Sequence, residues 1–188
     1  MQITLPVSIG EALDKLTILE IKLENILQES RLVHVRKEYE SLKPILDPHI
    51  NKCSRHYRLL KKINEKLWNI MDKQRDITIT EQQYSDIARI VVEENDARFR
   101  TKLKINEVCF SVLKEQKGYD YTSLYNIQVD GNDLNVPDEF DKIIDNILEK
   151  SVRFDMINIT INNYAGNKEK SNQLIEFFNY DKNIEFSL

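Results

Sequence analysis

The chain has 188 residues, 31% of them charged, with four glycines, four prolines and a formal net charge of -4. So few breakers exclude a loop-rich or collagenous chain, and no apolar run approaches the roughly 18 residues of a membrane span. The opening MQITLPVSIGE lacks the charged and apolar regions of a signal peptide, and the only two cysteines exclude a disulfide framework, so a cytoplasmic, reducing location is expected.

Charge is unevenly placed: residues 1 to 118 carry 21 Lys and Arg against 18 acidic residues, and residues 119 to 188 carry 6 against 13. The asymmetry predicts a domain over 1–118 and a second region over 119–188.

A first helix is predicted from Ile9, because Ser8 followed by Glu11 has the form of a capping box, with Val7 and Ala12 placed as a hydrophobic staple. Ala12, Leu16, Leu19, Leu23 and Ile26 recur at intervals of four and three, the stripe an amphipathic helix buries. About a third of a turn away, Glu11, Asp14, Lys15, Ile18 and Lys22 form a band of mixed charge. A second helix, Arg31 to Leu42, ends or kinks at Pro44. Asp47-Pro48 opens a third, with Ile50, Cys53, Tyr57, Leu60, Asn64, Leu67 and Met71 as its seam, reaching Asp76. Thr80 and Gln83 suggest another capping box, opening a fourth helix that runs to Lys117 and stops at Gly118. These two helices would be roughly 45 and 55 Å long at about 1.5 Å per residue. The short turn at Ile77 to Ile79 makes them an antiparallel hairpin, with Asn64 level with Asn95 and Trp68 level with Arg89.

Further on, Ile127 and Val129, then Leu134 and Val136, alternate about Asp130-Gly131, a β-hairpin signal. Pro137-Asp138 leads a helix bearing Phe140, Ile143, Ile144, Ile147 and Leu148. Met156 to Ile161 reads as a strand, Lys168 to Phe178 as a helix and Ile184 to Leu188 as a last strand, an order that permits a parallel pair with a crossover. The fold class expected is mainly α: a long antiparallel helical hairpin with two shorter N-terminal helices, plus a small C-terminal α/β appendage.

Several residue sets have types that bear on function. His49, Cys53 and His56 share one helical face with zinc-ligand chemistry, but no fourth ligand or paired-cysteine motif accompanies them, so no metal is expected. Arg55, Arg58, Lys62 and Lys66 form a basic stripe that could track phosphates, although Glu65 and Asp72 dilute it and a solvated face is the commoner outcome. Asn64, Asn95 and Asn106 interrupt apolar seams, where buried amides fix helix register at some cost in stability. With Asp96, Arg98, Lys102 and the band on the first helix, they also suit a polyhydroxylated or phosphorylated ligand, since amides donate and accept while Arg forks onto anions. No Walker loop, G-x-G-x-x-G, H-E-x-x-H or G-x-S-x-G motif occurs, and no cofactor is expected. Glu20, at the edge of the first helix's stripe, is expected to snorkel or to pair with a cation of the third or fourth helix.

PVSIGEALDKLTILEIK, INEKLWNIMDKQRD, ARIVVEENDARFRTKLKIN and EQKGY, in that order, resemble a family of short uncharacterised bacterial and viral proteins classed as a domain of unknown function. The resemblance covers about residues 3 to 121. It carries over Gly10, Glu11, Asp14, Lys15, Lys22, Asn64, Trp68, Arg75, Asn95, Asp96, Arg98 and Asn106, implies no established activity, and implies a link to surface glycans by association alone.

The leading functional expectation is a non-catalytic interaction or assembly module that self-associates or takes a protein partner, since hairpins with wide apolar stripes bury the surplus face against a partner. Its rival is a domain binding or processing a nucleotide sugar or phosphorylated sugar through Glu11, Asp14, Lys15, Lys22, Asn64, Trp68, Asn95, Asp96, Arg98, Lys102 and Asn106. A third is anion or nucleic-acid binding along the basic stripe.

Overall fold

The computed structural model describes residues 4–116 and 123–188 of the chain, which divides into two units, Met1–Gln116 and Lys117–Leu188. The protein is mainly helical, with a small three-stranded sheet in the second unit. Among the described residues no helix is long and apolar enough to cross a membrane.

The first unit holds α1 (Ile9–Asn25), α2 (Glu29–Lys52), α3 (Ser54–Gln74) and α4 (Glu81–Val108). Ser8 caps α1, its Oγ accepting from the Glu11 N–H at 3.1 Å. Only this half of the expected box forms, because the Glu11 carboxylate turns to Lys102. Val7 is exposed, so the expected staple buries little. Helix α1 packs on α2, α3 and α4, and its burial therefore exceeds one stripe: Gly10, Leu13, Asp14, Leu16, Thr17, Leu19 and Ile21 are buried, while Leu23 and Ile26 are only half-buried.

Helix α2 corrects the expected stop at Pro44, running on through Pro44 and Pro48. Each proline deprives the carbonyl four residues earlier of its donor. Glu40 and Pro44, which carry those carbonyls, are exposed, so water serves them and the helix continues. The break falls instead at Cys53, with φ -126° and ψ 35°, so the helix expected to open at Asp47 is divided between α2 and α3.

The pairing of α3 with α4 as a hairpin holds, with lengths of about 32 and 42 Å at 1.5 Å per residue rather than those expected. The capping box at Thr80 and Gln83 is complete: the Gln83 N–H donates to Thr80 Oγ1 at 3.2 Å and the Thr80 N–H to Gln83 Oε1 at 2.8 Å. The expected stop at Gly118 lies outside the described residues. Helix α4 ends at Val108, earlier than Lys117, in a Schellman turn: the Ser111 N–H reaches the Asn106 carbonyl at 2.8 Å and the Phe110 N–H that of Glu107 at 3.1 Å. Phe110 takes the left-handed position, φ 56°, that glycine usually fills, with its side chain 87% exposed. Of the stripe that the apolar spacing predicts for this helix, Val92, Asn95, Phe99, Lys102, Asn106, Cys109 and Leu113, just Asn106 and Cys109 are buried. Glu94, Ala97, Thr101, Lys104, Ile105 and Asn106 point inward, while Val92 is 62% exposed. Leu13, Leu16, Leu46, Tyr57, Leu60 and Ile105, with Cys53 and Cys109, form the apolar core.

The second unit is built from β1 (Leu124–Asp130), α5 (Pro137–Ser151), β2 (Met156–Asn162), α6 (Lys168–Phe177) and β3 (Ile184–Ser187). The strands are parallel in the order β1-β2-β3, Ile127 pairing with Ile159 and Ile157 with Ile184. Alternation buries Ile127, Val129, Ile157, Ile159 and Ile161 on one face and leaves Asn126, Gln128 and Thr160 exposed on the other. The β-hairpin expected about Asp130-Gly131 does not form, since residues Asp133–Asn135 make a 3-10 turn that leads into α5. Gly131 does not have the positive φ that such a hairpin turn needs. It is required for close approach: a Cβ there would lie 2.9 Å from the Asn162 carbonyl oxygen and 3.0 Å from that of Asn163.

Candidate functional site

In the first unit, chemistry-bearing residues meet where α1 crosses α3 and α4. Gly10, Asp14 and Thr17 recur at helical spacing along one line of α1, and Arg98, Lys102 and Asn106 along a line of α4 facing it. Asp14 is 2% exposed, and its Oδ1 accepts from Asn64 Nδ2 at 2.9 Å and from Arg98 Nε at 2.7 Å. Arg98 Nη2 donates to the second oxygen, so the guanidinium grips the carboxylate with two parallel bonds. Asn64 Nδ2 also donates to Thr17 Oγ1 at 2.8 Å, and the Thr17 hydroxyl donates to the Asp14 carbonyl at 2.8 Å. The bond to Asp14 raises the Arg98 pKa above its ordinary value, against the opposing effect of burial.

One turn along, Lys102 Nζ lies 2.6 Å from Glu11 Oε2 and 2.9 Å from Glu115 Oε2. Burial works against its charge, but hydrogen bonds to these two carboxylates raise its pKa on balance. At the tip of α1, two orphan helix donors are satisfied by the end of α4. The Gly10 N–H donates to Asn106 Oδ1 at 2.7 Å and the Ile9 N–H to Ser111 Oγ at 3.2 Å. Further out on the hairpin, buried Glu94 accepts from Lys66 at 2.5 Å.

Of the residues expected to form one site, the fold brings together Glu11, Asp14, Asn64, Arg98, Lys102 and Asn106. Lys15 turns to Glu38 on α2, and Lys22 is half-buried in the last turn of α1. Trp68 and Asp96 are half-buried on the hairpin. Asn95 does not face Asn64. Its Nδ2 donates to the Val91 carbonyl of its own helix, while Asn64 is drawn to α1 by Asp14 and Thr17. The expected asparagine layer is therefore two separate buried amides with different partners. Thr17, Glu94, Ser111 and Glu115 take part without having been singled out; of these only Thr17, three residues beyond Asp14 on the same helix, carried a spacing signal. Glu20 accepts from the Tyr57 hydroxyl at 2.8 Å and pairs with Lys61 on α3 at 3.3 Å.

In the basic stripe, Lys66 is committed to Glu94, while Arg58 and Lys62 are exposed and Arg55 is half-buried. The Cys53 thiol donates to the His49 carbonyl at 3.1 Å. Among the described residues no group of three or more His, Cys, Asp or Glu side chains is placed to hold a metal ion.

The distal half of the hairpin presents a different surface. Between residues 68 and 93 nothing is buried. An open pocket of about 340 Å³ there is lined by Lys73, Asp76, Ile79, Gln83, Asp86, Ile87 and Ile90.

A family described as a family of unknown function, DUF6165, matches residues 3–129. The chain belongs to DUF6165. The DUF6165 match takes in α1 to α4, hence every residue of the α1–α3–α4 junction and of the hairpin arm, and extends along β1 to Val129. No curated protein and no solved structure matches the chain.

Proposed function

We propose that this protein is a non-catalytic interaction module that assembles through the distal half of the α3–α4 hairpin, with a second copy of the chain as partner. The observation that carries this reading is the unpartnered arm: Met71, Ile77, Tyr84, Ile90 and Val92 are all exposed, Ile77 by 98%. Two paired helices bury only the seam between them, and apolar residues on their flanks are covered when a further helical layer packs on. The pocket rim carries both signs, Lys73 beside Asp76 and Asp86. A two-fold contact can therefore set Lys73 of one copy against Asp86 of the other. The polar junction supports the same reading from the other side, since Asp14, Arg98, Glu11 and Lys102 satisfy one another. A setting in surface-glycan synthesis rests on the sequence resemblance alone.

Light scattering at about 100 µM, far above the Kd of a specific interface, tests the assembly. A dimer mass is expected for the natural protein and a monomer mass for Ile90→Glu with unchanged helicity. A monomeric natural protein would refute the reading.

The convergence of Glu11, Asp14, Arg98 and Lys102 favours a second reading, a site for a phosphorylated sugar or nucleotide sugar whose anion displaces carboxylates from Arg98 and Lys102. If assembly is the function, millimolar nucleotides, nucleotide sugars and phosphosugars leave Tm unchanged. A rise of several degrees that Lys102→Gln abolishes would instead establish the ligand site. Anion or nucleic-acid binding along the basic stripe has less support, because Lys66 is held by Glu94.

A further inference from the structure

The hairpin has a base as well as a tip, and the two cysteines sit on either side of it. Cys53 is the single non-helical residue between α2 and α3, and Cys109 is the C-cap of α4. Both side chains are buried, and both thiols point at one acceptor, the His49 carbonyl, at 3.1 Å from Cys53 Sγ and 3.7 Å from Cys109 Sγ. Both belong to the same buried core cluster. Neither residue lies inside a helix, so the backbone shift needed to bring two sulfurs that share one acceptor to bonding distance falls on a hinge and a cap.

We propose that Cys53 and Cys109 form a reversible disulfide on exposure to a peroxide, a redox staple that closes the base of the α3–α4 hairpin. The bond would join the residue just before α3 to the residue just after α4, enclosing the whole hairpin in one covalent loop. The neighbouring Cys53 thiol and, after it, the Lys52 charge lower the Cys109 pKa against the opposing effect of burial, so Cys109 is assigned as the attacking sulfur. Cys109 sits at the edge of the core, since Phe110 and Val112, on either side of the buried Ser111, are 87% and 96% exposed.

The Cys109 thiolate attacks a peroxide oxygen, the O–O bond breaks, and the leaving hydroxide takes a proton to become water, leaving a sulfenic acid on Cys109. The Cys53 sulfur then attacks that sulfenic sulfur. The S–S bond forms, the S–O bond breaks, and the Cys53 proton leaves with the hydroxyl as a second water. In total two thiols and one peroxide give one disulfide and two waters, the two sulfurs losing two electrons that the peroxide gains. A dithiol reductant reverses the step by exchange.

The experiment uses the full chain, reduced and then treated with one equivalent of hydrogen peroxide. The expected result is a loss of about 2 Da by intact mass, a peptide pair linking Cys53 to Cys109, and a Tm higher by about 10 °C that dithiothreitol restores to its starting value. Cys53→Ser and Cys109→Ser should each lose the mass change and the Tm rise. If either variant fails to fold, the natural protein still decides the matter. Two titratable thiols remaining after peroxide, a sulfinic acid on Cys109 or a disulfide between chains would overturn the proposal.

Discussion

Replacing Asp14 with alanine is expected to destabilise the helical unit by about 3 kcal/mol, near the lower end of what breaking a buried ion pair costs. The carboxylate is 2% exposed and accepts from Arg98 and Asn64 together. Without it, the guanidinium stands at the edge of an apolar core with its donors unmatched, and Asn64 keeps only Thr17. The cost falls at the lower end because a quarter of the Arg98 side chain, 26%, still reaches solvent. Most of the loss is thus the penalty of an abandoned charge, so removing both members should restore part of it. The double variant Asp14→Leu with Arg98→Met is expected to be more stable than Asp14→Ala by at least about 1 kcal/mol. Urea unfolding followed through Trp68, the only tryptophan in the chain and a reporter within this unit, measures both. An Asp14→Ala protein within about 0.5 kcal/mol of the natural one, the range of ordinary surface changes, would show that the junction does not hold the helices together.

The second large effect is expected at Gly10. Changing a helical glycine to alanine ordinarily stabilises by about 0.5–1 kcal/mol. Here the sign should reverse, with a loss of about 2–3 kcal/mol. A Cβ on Gly10 would stand 2.5 Å from the Lys102 carbonyl oxygen, 3.1 Å from its carbon and 3.0 Å from Asn106 Oδ1. The nearest atom is backbone of α4 and cannot swing aside, so α1 must lift away. Lifting α1 also lengthens the 2.7 Å bond from the Gly10 N–H to Asn106 and draws Glu11 from Lys102. Gly166 is the contrasting position, since a Cβ there meets nothing within 4 Å. Gly166→Ala, in the second unit, should stay within about 0.5 kcal/mol of the natural protein in urea unfolding followed by circular dichroism. A Gly10→Ala protein as stable as the natural one would mean that α1 and α4 do not approach so closely in solution.

How far the chain could be read in advance depends on whether a feature is settled within a turn or two of sequence. Ser8 and the Thr80 and Gln83 pair cap helices through bonds three residues long, and both form. The strand at Met156 was legible because its apolar and polar residues alternate with the pleat. The prolines of α2 misled because the rule for them is local, whereas survival of the helix turned on whether the orphaned carbonyls face water. Phe110 gave no stop signal, since an aromatic residue seldom takes a left-handed position. It is held there by Schellman bonds and by the Ser111 contact to α1, a residue 102 positions away. Asp130-Gly131 was read as a hairpin turn because glycine permits positive φ, but the glycine answers to a neighbouring strand instead.

The polar junction divides along the same line. The sequence by itself determined that α1 is amphipathic with carboxylates bordering its apolar stripe, that α4 carries Arg98, Lys102 and Asn106 at matching intervals, and that the two long helices pair. Periodicity and capping act between residues already close in the chain, and every copy of the sequence carries them. Only the tertiary structure decided that α1 lies against α3 and α4, and so that Asp14 takes Arg98, that Asn64 turns away from Asn95, and that Gly10 must have no side chain. Those choices depend on which face of α4 is turned inward, and that face is selected by the summed burial of Leu13, Leu60 and Ile105 from three separate helices, a quantity no single segment contains.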